Sequence, residues 1–119
     1  MSADKPVRRV TIADIARMYE EGERFATITA YDFPTARIVD EAGLPLILVG
    51  DSVGMVMLGY DTTVRVSIDE MLHHTRAVAR GAKRALVVGD MPFLSYGLTT
   101  EESVGHAGRF LSEAYAQAV

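Results

Sequence analysis

The sequence contains no cysteine. That excludes disulfides, thiolate metal sites and sulfur nucleophiles together, and it fits a reducing compartment such as the cytoplasm. A basic footprint is missing too. Twelve Lys and Arg against 16 Asp and Glu leave a net charge of -4, which argues against nucleic acid as a partner. No long apolar run occurs: the longest, Leu44 to Val49, is far short of the roughly 20 residues that span a membrane. The polar stretch Met1 to Arg9 lacks the apolar centre of a secretion signal. Phosphate loops and dinucleotide fingerprints are absent. Gly50-Asp51-Ser52-Val53-Gly54 superficially resembles a nucleophile elbow, but the serine is misplaced and no His/Asp relay accompanies it.

What remains is a chain of 119 residues, one domain or less, with its apolar residues in compact runs. Thr11 is placed to cap a first helix, with Asp14 in its first turn. Ile12, Ile15, Ala16 and Tyr19 then repeat at helical spacing, and Gly22 is placed to end the helix. Phe25 to Tyr31 reads as a short buried strand closed by Asp32. Pro34 suits the first turn of a helix that runs to about Ala42 and stops at Gly43. Leu46 to Val49 is continuously apolar, the mark of a strand covered on both faces, and ends in Gly50-Asp51. Ser52 to Thr63 is too long for a simple turn and suggests a functional loop. Ser67 and Glu70 form a capping box, opening a helix with Ile68, Met71, Leu72, Thr75, Val78 and Ala79 inward and Gly81 as its stop. Ala85 to Val88 is a third buried strand, ending in Gly89-Asp90. Thr99 and Glu102 repeat the capping pattern before a helix with Val104, Ala107, Gly108, Leu111 and Ala114 on one face. Ala116 to Val119 begins what reads as another strand. A helix followed by three strand–helix units implies an α/β fold with a parallel sheet and right-handed crossovers.

In such folds the reactive face lies at the carboxyl ends of the strands. Three successive strands here end in an aspartate: Asp32, Asp51 and Asp90. An aspartate in that position commonly caps the next helix. The repeated pattern of four apolar residues followed by Gly-Asp singles out Asp51 and Asp90 as a pair of hard oxygen ligands suited to Mg²⁺. His73 and His74 are helix neighbours about 100° apart, so they cannot form an i, i+4 metal pair. They and His106 read as packed or solvated residues. Tyr31, Tyr60 and Tyr96 lie at or near the strand-end side, where a hydroxyl could face substrate, although packing is the commoner role.

Five ordered blocks then resemble the ketopantoate hydroxymethyltransferase family. They are Thr29-Ala30-Tyr31-Asp32, Val49-Gly50-Asp51-Ser52-Val53-Gly54-Met55, Leu58-Gly59-Tyr60-Asp61-Thr62-Thr63, His74-Thr75-Arg76-Ala77-Val78 and Asp90-Met91-Pro92-Phe93-Leu94-Ser95-Tyr96. The resemblance implies a (βα)8 TIM barrel preceded by a helix closing its bottom. Residues 1–119 would be the N-terminal portion of that single barrel domain, a helix and about three βα units. It implies transfer of a hydroxymethyl group from 5,10-methylenetetrahydrofolate to 3-methyl-2-oxobutanoate in pantothenate biosynthesis, through a Mg²⁺-stabilised enolate. It implies Mg²⁺ on Asp51 and Asp90, the keto acid on those residues and Ser52, and a homo-oligomer, a decamer in the family. No catalytic residue is then expected within the chain. A Lys-x-Glu-Gly-Gly segment of the fourth strand and the glutamate base would both lie beyond Val119. Two positions differ from the family's habit: Gly89, where Ala is frequent, and Tyr115, where Gly is usual.

Two further readings stand beside this one. The Gly-Asp-Ser-x-Gly-Met element also occurs in the wider phosphoenolpyruvate mutase and isocitrate lyase superfamily, whose members cleave or rearrange carbon skeletons. The third reading is a truncated assembly unit without activity, whose exposed sheet edges and apolar faces lead it to self-associate.

Overall fold

The computed structural model describes residues 7–119, so the N-terminal stretch discussed above lies largely outside the described residues. The element order is α1 (Ile12–Glu20), β1 (Thr27–Thr29), α2 (Phe33–Glu41), β2 (Leu46–Val49), α3 (Val53–Val56), a 3₁₀ turn (Thr63–Arg65), α4 (Ile68–Gly81), β3 (Leu86–Gly89) and α5 (Thr100–Ser112). The strands form one parallel sheet in the order β1-β2-β3, with Ile28 beside Ile47 and Val49 beside Gly89. Beyond α5 the chain returns alongside β3. Gln117 N–H donates to the Val87 carbonyl at 3.1 Å, and the Ala118 carbonyl accepts from Gly89 N–H at 3.0 Å. Parallel strands with helices between them are consistent with part of a TIM-barrel-type architecture.

Local chemistry accounts for the element boundaries. Thr11 and Asp14 close a reciprocal capping box on α1, as Ser67 and Glu70 do on α4. On α5 only half of the pattern forms: Thr99 accepts from Glu102 N–H at 3.1 Å without a return bond from the carboxylate. Gly22 and Gly43 sit at φ 68° and 89°, the left-handed stop that a side chain resists. The core lies between sheet and helices. Ile47, Val49 and Val87 meet Met71, Leu72 and Val78 of α4 and Phe110 of α5 there. Each such side chain stabilises the fold by about 1.5–3 kcal/mol relative to exposure.

Four expectations need correction. β1 is not buried: Ile28 is 50% exposed, because β1 is an edge strand with a neighbour on one side only. α1 does not bury its apolar stripe either, since Ile12 and Tyr19 are 62% and 87% exposed. Its buried residue is Asp14, which the Arg8 guanidinium meets at 2.9 Å. The inward face of α5 is rotated from the expected one. Phe110 is fully buried whereas Val104 and Leu111 face outward. The cause is Gly89, whose missing side chain leaves the space that the Phe110 ring fills. The segment Ser52 to Thr63 is not simply a loop, for it contains α3 and runs into the 3₁₀ turn. Asp40, which the sequence did not single out, accepts the backbone N–H groups of Lys83, Arg84 and Ala85 at 3.0, 3.1 and 2.7 Å and shapes the entry to β3.

Candidate functional site

β2 and β3 end side by side: Val49 pairs with Gly89, so Asp90 comes level with Gly50 and Asp51 follows one residue further on. Asp90 N–H donates to the Val49 carbonyl at 3.0 Å. Asp51 N–H donates to Asp90 Oδ2 at 2.9 Å. The two residues are both half-buried. Burial and then the neighbouring Asp90 charge push the Asp51 carboxyl above the usual carboxylate range, while the Thr63 hydroxyl and Ser52 N–H pull the other way. Two like charges held together in a half-buried place call for a cation. Among the described residues no group of three or more His, Cys, Asp or Glu side chains is arranged to hold a metal ion. A cation here would therefore have two carboxylates, with water or substrate oxygens completing its shell. Such a donor set fits Mg²⁺.

Ser52 adjoins this pair. It occupies the N-cap of α3 yet makes no side-chain cap bond. Its Oγ lies 2.6 Å from Tyr31 Oη, and the Tyr31 carbonyl lies 2.8 Å from His74 Nδ1. The ends of β1 and β2 are thus linked through hydroxyls, with α4 behind them.

The remaining candidates divide cleanly. Asp32 is a helix cap, accepting Thr35 N–H at 2.8 Å, and Thr35 holds its carboxyl below the ordinary range. It does not join the Asp51–Asp90 pair by any hydrogen bond among the described residues. His73 packs edge-on against His74 with ring centres 5.3 Å apart. His106 bonds the Ser95 carbonyl at 2.6 Å. Tyr60 donates to Glu70 Oε2 at 2.5 Å, tying the post-β2 segment to the start of α4. That bond pushes the phenol up and the carboxyl down. Tyr96 is 56% exposed and makes no side-chain hydrogen bond among the described residues. Reading the sequence missed Thr63 and the linkage of Tyr31 to Ser52 and His74. The signals were their presence in the shared blocks and, for Tyr31, its place at a strand end.

No helix among the described residues is long and apolar enough to cross a membrane. The family model for ketopantoate hydroxymethyltransferase matches residues 9–119. A protein of Chloroflexus aggregans named 3-methyl-2-oxobutanoate hydroxymethyltransferase is 60% identical over 111 residues, 93% of this chain and 39% of its own length. A namesake from Dehalococcoides mccartyi is 53% identical over the same span, 40% of its length. Another, from Syntrophus aciditrophicus, is 51% identical over all 119 residues, 44% of its length. The chain thus spans about two fifths of the curated relatives it matches. The paired strand-end aspartates and a family match over residues 9–119 lead to one conclusion: this chain belongs to the ketopantoate hydroxymethyltransferase family.

Proposed function

We propose that this chain is the N-terminal portion of a (βα)8 barrel enzyme that transfers a hydroxymethyl group from 5,10-methylenetetrahydrofolate to 3-methyl-2-oxobutanoate. The observation that carries the reading is the meeting of Asp51 and Asp90 at adjacent strand ends, 2.9 Å from amide to carboxylate, in a family member. Asp51 and Asp90 hold Mg²⁺ in this reading. The ion's contribution when bound is Lewis-acid polarisation of the 2-oxo acid, which eases loss of the C3 proton. The chain's own residues supply binding and order. The carboxylates set where the acid lies. The Thr63 hydroxyl and Ser52 N–H steady Asp51 as an anion. The Ser52 hydroxyl contacts the acid. The base that takes the C3 proton, and the fourth-strand Lys and Glu, belong to the rest of the barrel, so this segment binds but does not turn over alone. The working enzyme is cytoplasmic and homo-oligomeric in this reading.

The test is turnover by a full-length family protein carrying this segment. With 3-methyl-2-oxobutanoate and 5,10-methylenetetrahydrofolate it should form ketopantoate only when Mg²⁺ is present. Asp51→Ala and Asp90→Ala should each lower kcat/KM by at least about 100-fold, a loss of roughly 2.7 kcal/mol of transition-state stabilisation. Full activity in both variants would defeat the reading. Preferred cleavage of an isocitrate-like or phosphonate substrate would move the protein to the mutase and lyase branch.

A further inference from the structure

The Gly54 and Met55 N–H groups in the first turn of α3 already bond the Asp51 and Ser52 carbonyls, and Ser52, with helical backbone angles of φ -53° and ψ -18°, makes no side-chain cap bond. Its Oγ turns instead to the Tyr31 phenol, 2.6 Å away at the end of the neighbouring strand. Three neighbours favour this choice. A Cβ on Gly50 would lie 3.3 Å from Ser52 Oγ, closer than ordinary contact, so the glycine keeps that space open. The half-buried Tyr31 packs against the core, which restricts its ring. Its carbonyl is bonded by His74 Nδ1 at 2.8 Å, which ties its backbone to α4.

The two hydroxyls carry two protons, and one of them lies between the oxygens. Neither hydroxyl has another hydrogen-bond partner among the described residues. With the phenol, the more acidic of the two, as donor to Ser52 Oγ, the Ser52 O–H is left over to point elsewhere. Ser52 directly follows Asp51, whose amide bonds Asp90. The spare donor therefore stands at the edge of the two-carboxylate site. An O–H donor beside a cation suits an acid whose remaining oxygens reach that cation.

We propose that Tyr31 is a positioning residue: it holds the Ser52 hydroxyl by a hydrogen bond and aims the spare proton at the carboxylate of the 2-oxo acid. This rests on the reading of the site as one for Mg²⁺ and 3-methyl-2-oxobutanoate. Tyr31 acts through Ser52, so removing the phenol oxygen matters only while Ser52 keeps its hydroxyl.

The experiment is a double-mutant cycle on the full-length family protein carrying this segment, with 3-methyl-2-oxobutanoate titrated calorimetrically in saturating Mg²⁺. Tyr31→Phe should weaken binding about tenfold, the scale of one hydrogen bond to a charged group. Ser52→Ala should weaken it at least as much. The double variant should bind no more weakly than Ser52→Ala, and Mg²⁺ affinity and thermal midpoint should match the parent in all three. A purely structural tyrosine would instead lower the midpoint and add its effect to that of Ser52→Ala. Unchanged binding in Tyr31→Phe, or additive losses, would overturn the role of Tyr31 while leaving the function intact. A parent protein that binds no 2-oxo acid would overturn both.

Discussion

Gly89→Ala is the perturbation that most directly probes how the site is built. A Cβ at Gly89 would lie 2.4 Å from Phe110 Cδ1 and 2.8 Å from Cε1. Phe110 is fully buried, and β3 is bonded by β2 on one side and by Gln117 and Ala118 on the other, so neither partner can withdraw freely. Inserting a methyl group into a filled core costs about 1–3 kcal/mol, and the upper half of that range applies here because the obstacle is a ring rather than a flexible tip. The change also bears on Asp90, the next residue, so Mg²⁺ affinity should fall together with stability. Phe110→Leu alone should cost about 1–2 kcal/mol through lost contacts and a partial cavity. The double variant should recover at least about 1 kcal/mol relative to the sum of the single changes. Urea unfolding of the full-length family protein, with the four variants side by side, measures this. Gly89→Ala as stable as the parent, or strictly additive energies, would refute the packing argument. The same logic extends to sequences. Family members with Ala at this position should carry a side chain smaller than Phe at the position of Phe110, which an alignment can check.

Three further outcomes follow from the geometry. Tyr115 holds φ 60° while 59% exposed, so it carries backbone strain without a compensating buried ring; Tyr115→Gly should stabilise by about 0.5–1 kcal/mol in thermal or urea unfolding. Asp40→Ala strips the acceptor from three consecutive amides at the start of β3, and should cost about 2 kcal/mol with faster hydrogen exchange at Lys83 to Ala85. The Asp14 carboxyl is held well below its usual range by Arg8 first and then by Thr11 N–H. Its folded value lies below its unfolded one, so its contribution is complete above the ordinary carboxylate pKa and is lost as pH falls through the folded value. Stability should therefore decline with acid below about pH 4, and Asp14→Asn should be less stable at neutral pH with a flatter acid limb.

Much of this protein was legible along the chain because the information is local. The apolar runs before Gly50-Asp51 and Gly89-Asp90 are strands, and their shared pattern marked the two aspartates that the fold then places side by side. Thr11 with Asp14, and Ser67 with Glu70, announced helix starts through chemistry confined to four residues. Gly22 and Gly43 announced helix ends by the same kind of local rule.

Other features depend on partners far away in the chain, and periodicity does not carry that information. Helical spacing offered Val104 and Leu111 as an inner face, but the vacancy at Gly89 drew in Phe110 instead. β1 and α1 carry apolar residues at regular spacing, yet their exposure depends on which neighbours lie against them. Asp32 shares the strand-end position of Asp51 and Asp90 without their Gly-Asp pattern, and the start of α2 takes its carboxylate as a cap. The hydrogen bond between Ser52 and Tyr31 joins residues 21 positions apart. Strands, caps and candidate ligands were therefore readable in order along the chain. Which side chains are buried, and which hydroxyls pair, was decided only when three strand ends met.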